Sequence, residues 1–305
     1  MTMAGYRLLS FRSETGPRAG IALGDAVYDL AAATGRADYA TVKGVLEDWT
    51  AAAPILAGFA ASPRGDTRRL ETLELLAPIL YPSAIYCAGA NYRDHVEKMC
   101  RARGLPMEPD PHELGLDPWH FLKVPRAAVG TGAAVALDAE NLDWEAELAV
   151  VIGRTARNVQ LAEALDYVAA YANANDLSAR DRSTRGKVDA LSPFKYDWIA
   201  HKNFDGACPL GPWLVPASEI ADPQNLAIKL WVNDTLRQDS STANMIFTIA
   251  EQIAHLSKRI TLHPGDVILT GTPAGTGAEI HEFLKRGDVV RIEIEGLGPL
   301  TTRIV

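Results

Sequence analysis

Glu145-Ala146-Glu147-Leu148-Ala149-Val150-Val151-Ile152-Gly153 is the stretch from which the rest of the chain is read. Its apolar, β-branched second half reads as a buried strand. Alternate residues of a strand share a face, so Glu145 and Glu147 project together, roughly 7 Å apart at Cα for a rise of ~3.3 Å per residue. On a helix the same two acids would point about 200° apart, since each residue turns about 100°. Two like charges beside a buried strand are costly unless a cation neutralises them. Asp176, at the exit of the next apolar run, supplies a third carboxylate. Glu145, Glu147 and Asp176 would complete an all-oxygen site suited to Mg²⁺ or Mn²⁺. From spacing alone, a solvated strand face stays open as the alternative.

Working outward, residues 6–11, 20–23 and 27–30 look like short strands broken by turns such as Thr15-Gly16-Pro17. Residues 40–58 and 66–77 read as helices, with Pro63-Arg64-Gly65 between them. Strands are expected at 84–88, 167–173, 227–232, 267–270 and 289–294, and an amphipathic helix at 246–258. Strands dominate, and the helices do not alternate with them. That disfavours a doubly wound sheet and favours an α+β fold. A boundary near residue 80 would separate a small N-terminal domain (1–80) from a catalytic domain (81–305). Residues 97–120 hold Gly104, Pro106, Pro109, Pro111, Pro118 and several acids, and read as a long functional loop or mobile lid.

The 305 residues are 48% hydrophobic, enough for a substantial core, and carry a net charge of −8. That charge, with no basic block, argues against nucleic acid or an anionic membrane as partner. Residues 1–7 lack the apolar core of a secretory signal, and no apolar run reaches the ~18 residues of a membrane span. Cys87, Cys100 and Cys208 have no CxxC spacing. They read as free thiols of a cytoplasmic protein rather than a disulfide frame or zinc site.

Several short segments carry candidate chemistry. His95 follows Gly89-Ala90-Asn91-Tyr92-Arg93-Asp94 at the end of a strand, where Asp94 or Glu97 could orient it as a base. A merely structural histidine is the alternative. Arg180, in Asn175-Asp176-Leu177-Ser178-Ala179-Arg180-Asp181, is either a partner of Asp181 or a clamp for a substrate carboxylate. Lys202, in Lys202-Asn203-Phe204-Asp205-Gly206, is either a surface lysine or an oxyanion donor. Thr270-Gly271-Thr272-Pro273-Ala274-Gly275-Thr276-Gly277 follows a strand but lacks the ending of a phosphate loop. It is a structural turn, or one whose N–H groups and Thr272 hydroxyl hold a carboxylate. The chain has no GxSxG elbow, and neither His112-Glu113 nor His281-Glu282 is followed by the second histidine of HExxH.

Taken together, these segments resemble the fumarylacetoacetate hydrolase family. The likeness rests on Gly89–His95, Phe121-Leu122-Lys123, Glu145-Ala146-Glu147-Leu148, Asn175–Asp181, Lys202–Asp205, Cys208-Pro209-Leu210-Gly211-Pro212 and Thr270-Gly271-Thr272-Pro273, in the family's order over residues 84–305. The resemblance implies a mixed β-roll catalytic domain with a smaller N-terminal domain, commonly dimeric. It implies Glu145, Glu147 and Asp176 as ligands of Mg²⁺ or Mn²⁺ and His95 as general base. Lys202 and Arg180 would face the substrate, Thr272 would bind its carboxylate, and Lys123 lies in a further matching motif on the substrate side. Relatives that hydrolyse C–C bonds often carry a Glu three residues after the histidine. Here that position is Lys98, and Glu108, Asp110, Glu113 or Asp117 of the lid would have to replace it.

The family acts on 2-oxo acids bearing a further carbonyl or double bond. The expected reaction is hydrolysis of an acylpyruvate, such as fumarylpyruvate, with release of pyruvate. Isomerisation or decarboxylation of a related 2-oxo dicarboxylate needs the same enolate without attack by water, and Lys98 keeps it in play. A binding protein that has lost catalysis is the third reading, opposed by the intact acids, His95 and Lys202.

Overall fold

The computed structural model describes residues 5–305, so the expectation for Met1–Ala4 lies outside the described residues. The fold is α+β. Its centre is a large sheet in which Arg7–Ser13, Cys208–Pro216, Val168–Asn175, Ala146–Ile152, Val267–Leu269, Ile85–Ala88 and His120–Lys123 lie side by side. The N-terminal strands Gly16–Leu23 and Ala26–Asp29 extend it beyond Arg7–Ser13, whose Leu8 pairs with Leu214. A second sheet holds Thr235–Ser241, Ala227–Val232, Val289–Ile294, Gly298–Ile304 and Ala133–Val135.

Ala146–Ile152 is buried along its whole length, as the apolar run Leu148–Ile152 within it requires. Leu148, Val150 and Ile152 pack into one core with Ile228, Leu230, Ile292 and Leu300 of the second sheet. Ala149 and Val151 face the other way, into a core shared with Val42, Val45, Leu46 and Leu56. Those last four come from Val42–Glu47 and Trp49–Ala61, the two helices that realise the expected 40–58 segment. Each fully buried aliphatic side chain contributes about 1.5–3 kcal/mol, so this strand is anchored from both faces. Glu145 and Glu147 therefore sit at the start of a rigid element.

Two segments differ from expectation. Residues 66–77 form no helix: they contain Arg68–Arg69, a single 3-10 turn at Leu70–Thr72, and Leu75–Leu76. Leu75 and Leu76 pair with Phe11 and Ser10, so the edge of Arg7–Ser13 takes the backbone groups that a helix would have used internally. The expected 97–120 loop is also shorter. Residues up to Arg103 belong to the helix Arg93–Arg103, which ends at Gly104 in the left-handed conformation (φ 63°). Only the stretch from Gly104 to Trp119 is irregular, with turns at 111–115.

Candidate active site

Antiparallel pairing builds the acidic cluster. Ala146 lies opposite Asn175, and the Asp176 N–H donates to the Glu145 carbonyl at 2.9 Å. This brings the start of one strand beside the end of the next. Glu145, Glu147 and Asp176 converge, with one potential ligand oxygen from each lying within 4.8 Å of the others. All three are buried.

Two cations and one amide donate hydrogen bonds to these acids, and a third cation, Lys123, lies beside Asp176. Lys202 Nζ donates to Glu145 Oε2 at 2.8 Å and to Asp176 Oδ2 at 2.6 Å. Arg180 pairs with Glu145 and donates through Nε to Asp143 Oδ2 at 2.9 Å. Glu147 Oε2 accepts from the Gly271 N–H at 2.7 Å. Burial would raise the Glu145 carboxyl, but the Lys202 and Arg180 charges hold it well below the carboxylate range. Glu147 goes the other way: burial, then the Asp176 and Glu145 charges, push it well up. Burial opposes the charge on Lys202, yet Asp176 and Glu145 keep its ammonium protonated.

Lys123 differs from its expected place. Its ammonium is fully buried behind the cluster and does not line the cavity. It donates to the carbonyls of Leu177 (3.0 Å), Lys202 (2.7 Å) and Ala207 (2.8 Å). An ammonium has three protons, and these bonds use them all. Asp176 Oδ1, 2.8 Å away, feels the charge of Lys123 but accepts no hydrogen bond. A buried carboxylate oxygen with an unfilled lone pair, beside a Glu147 that no side-chain cation among the described residues contacts, suits a hard divalent cation. The residues present therefore fit Mg²⁺ or Mn²⁺.

Ile85–Ala88 and Val267–Leu269 run parallel, with Val267 opposite Ile85, so their exits fall at one end of the sheet. One exit leads to His95, in the first turn of Arg93–Arg103; the other leads to Thr270-Gly271-Thr272. Asn91 joins them, donating to the carbonyls of Thr270 (2.8 Å) and Phe247 (3.0 Å). Gly271 has φ +97°, and a Cβ there would lie 2.8 Å from Asn91 Cβ. Glycine is what allows the turn to close on Asn91 while its N–H reaches Glu147. Thr272 lines the cavity, its hydroxyl accepting from Gln238 Nε2 at 2.9 Å. Gln238 Oε1 accepts from the Ala146 N–H at 2.9 Å and so ties this turn to the acidic strand.

The partner of His95 comes from outside the lid. His95 Nδ1 lies 2.6 Å from Glu279 Oε1, a residue 184 positions away on the short helix Gly277–Ile280. Glu279 Oε2 accepts from the Gly275 N–H at 2.7 Å, which fixes the carboxylate. Of the lid acids, Asp110 is engaged with Arg93 at 2.7 Å and Asp117 with Arg259 at 3.5 Å, while Glu108 lines the cavity without pairing with His95. Asp94 does not act through the His95 ring. It accepts from the His95 and Ala274 N–H groups and from Ser240 Oγ, seating the helix against the turn. Arg180 takes Asp143 and Glu145 rather than Asp181.

His95, Glu145, Glu147, Asp176, Arg180, Lys202 and Thr272 all line one cavity of about 410 Å³. Sequence reasoning missed Glu279, Asp143, Gln238 and His201. His201 follows from its neighbour, since it precedes Lys202 on the helix Trp198–Lys202 and also lines the cavity. Burial, then the Lys202 and Arg180 charges, bring its pKa down to about 3. Its imidazole is therefore neutral.

The family model described as fumarylacetoacetate (FAA) hydrolase C-terminal matches residues 84–305. The chain belongs to the fumarylacetoacetate hydrolase family. An oxaloacetate tautomerase of Xenopus laevis, mitochondrial by name, is 41% identical to this family member over 239 residues, covering 76% of the chain and 69% of the relative. Maleylpyruvate hydrolase from a Sphingobium species, solved with manganese(II) and pyruvate, is 30% identical with a TM-score of 0.76, covering 98% of both chains. A 2-hydroxyhepta-2,4-diene-1,7-dioate isomerase from Mycobacterium marinum is 30% identical with a TM-score of 0.71, again covering 98% of both chains. This chain is thus an enzyme of a family whose members include hydrolases, isomerases and tautomerases. Among the described residues no helix is long and apolar enough to cross a membrane.

Proposed function

We propose that this enzyme hydrolyses the C–C bond of an acylpyruvate and releases pyruvate. The observation that carries this reading is the His95–Glu279 pair, with His95 on the wall of the acidic cavity. It supplies what Lys98 withholds, a carboxylate-held histidine next to a substrate-sized space. Glu145, Glu147 and Asp176 would hold Mg²⁺ or Mn²⁺, which supplies positive charge for the 2-oxo and carboxylate oxygens of the substrate. Glu279 keeps a proton on His95 Nδ1 and leaves Nε2 free to take one from water. Water's oxygen then bonds to the distal carbonyl carbon and the C–C bond breaks. Its electron pair passes to the pyruvate enolate, and His95 returns the proton to the enolate carbon. General-base help of this kind contributes typically ~10²–10⁴-fold. Lys202 and Arg180 orient the acids and face the bound oxygens, and Thr272 offers its hydroxyl to the substrate carboxylate.

A second reading, keto–enol isomerisation of a 2-oxo dicarboxylate, is favoured by the tautomerase relative at 41% identity. It uses the same histidine to move a proton on carbon without attack by water. Incubation with Mg²⁺ and an acylpyruvate panel separates the two. Loss of enol absorbance with matching pyruvate supports hydrolysis; loss without pyruvate supports isomerisation. The domain division near residue 80, a lid over the irregular stretch 104–119, a homodimer and a cytoplasmic location belong to the same proposal. The three cysteines are free and buried, in keeping with the last of these.

A further inference from the structure

The cavity has two unlike halves. Its floor is the acidic cluster, and its outer half is Val96, Met99, Leu105, Trp119, Phe121 and Trp198. The three aromatic rings form a cluster. Phe121 stacks on Trp198 with centroids 5.3 Å apart and planes 24° from parallel. Trp119 stands edge-on to Trp198 at 5.9 Å. This wall is built closely, since a Cβ on Gly89 would fall 2.0 Å from the Trp119 ring. Trp119 and Trp198 are nonetheless 49% and 44% exposed, which is unusual for two packed indoles. Phe121 joins the two halves, with Lys202 Nζ 5.0 Å from its ring centre.

Charge divides in the same way. Among the described residues lining the cavity, the basic groups are Arg180, Lys202, His95 and His201. Arg180 and Lys202 are bound to floor carboxylates, and His95 is bound to Glu279. His201 bears a neutral imidazole with no partner at Nε2. Among the described residues the charged side chain on the outer wall is Glu108, an acid; Arg93, in the adjoining cavity that shares Glu108 and Trp119, is held by Asp110 at 2.7 Å. A substrate carboxylate placed there would meet a like charge and, among the described residues lining the cavity, no cation left unpaired by an acid.

We infer that the substrate's far end is an uncharged apolar acyl group, best an aromatic one, held by the Trp119–Phe121–Trp198 cluster. This deepens the proposed function and rests on it. A planar aryl ring between these faces buries surface and gains ring–ring contact, of order 0.5–1.5 kcal/mol per pair beyond area burial. Glu108 acts as the excluding element against dicarboxylates.

The test compares benzoylpyruvate with succinylpyruvate, which carries a distal carboxylate, using the Mn²⁺-loaded full chain. The expected ratio of kcat/KM is at least tenfold in favour of benzoylpyruvate. Glu108→Gln should narrow that ratio and Trp198→Ala should collapse it. A ratio within one preparation is independent of how much of a variant has folded. A preference for succinylpyruvate, or a ratio untouched by both variants, overturns the inference while leaving C–C hydrolysis standing. If neither compound releases pyruvate, the hydrolase reading fails. The specificity inference is then decided by the two dissociation constants from tryptophan quenching, and equal or carboxylate-favouring values overturn it.

Discussion

Replacing Glu279 by Gln tests the proposed base directly. The wild-type carboxylate only accepts, so it keeps a proton on His95 Nδ1 across the 2.6 Å contact and leaves the Nε2 lone pair free. Its other oxygen accepts from Gly275 N–H at 2.7 Å. A glutamine that keeps the Gly275 bond through its carbonyl must present its NH₂ to Nδ1. That fixes the proton on Nε2, the wrong tautomer for a base. A glutamine that flips instead abandons Gly275 and faces it with a second donor. The contact is largely shielded, with Glu279 2% exposed and His95 14%, so solvent screens it little. A hydrogen bond to a charged partner is worth about 1.5–3 kcal/mol. At ~1.4 kcal/mol per decade, that is a fall in kcat of roughly 10- to 150-fold. The assay is steady-state kcat and KM on the best acylpyruvate over a pH series, beside a melting curve. The expected result is a fall in kcat with KM little changed and a near-normal melt. An unaltered kcat, or a loss accounted for by unfolding, refutes the reasoning.

Three other outcomes follow. Glu147→Gln should abolish metal-dependent turnover and the Mn²⁺-induced rise in melting temperature, which at a hundredfold excess over Kd corresponds to about 2.7 kcal/mol. The metal-free variant should melt no lower than the wild type, because burial and two like charges already work against the Glu147 carboxylate; retained turnover would remove this residue from the metal site. Lys123→Met strips the donor from three buried carbonyls and from beside Asp176. It should cost about 3–5 kcal/mol in denaturant unfolding, and a loss below ~1 kcal/mol would show that Lys123 is not structural. Burial, with His255 close by, brings the His120 pKa down to about 4. The unfolded chain, with an ordinary value of ~6.5, then binds the extra proton between those two pH values. Stability should fall as pH drops from about 6.5 to about 4, by ~3 kcal/mol at most, and less so in His120→Gln. Equal pH slopes for the two proteins would contradict it.

What the sequence made legible is what local patterning controls. The apolar run after Glu147 read as a strand, which placed Glu145 and Glu147 together, and their burial removes the solvated face that spacing alone left open. Leu70, Leu73 and Leu76 fall at helical spacing, yet the segment pairs with Arg7–Ser13, since an open sheet edge outweighs a weak helical pattern. Lys123 read as a substrate contact because it sits in a matching motif. Its burial behind Asp176 depends on carbonyls contributed by two distant stretches, Leu177 in one and Lys202 with Ala207 in the other. Glu279 was invisible for the same reason: nothing local links it to a histidine 184 residues away. It is the parallel pairing of Ile85–Ala88 with Val267–Leu269 that brings the two exits together.

The most direct test of C–C hydrolysis at this site is a single-turnover reaction in ¹⁸O-water with Mn²⁺ and an acylpyruvate, following the oxygen label in the released acid. One ¹⁸O per molecule of acid, appearing with equimolar pyruvate and lost on chelation of the metal, is the expected result. Consumption of the enol with no labelled acid, or cleavage that survives complete removal of the metal, would contradict the account.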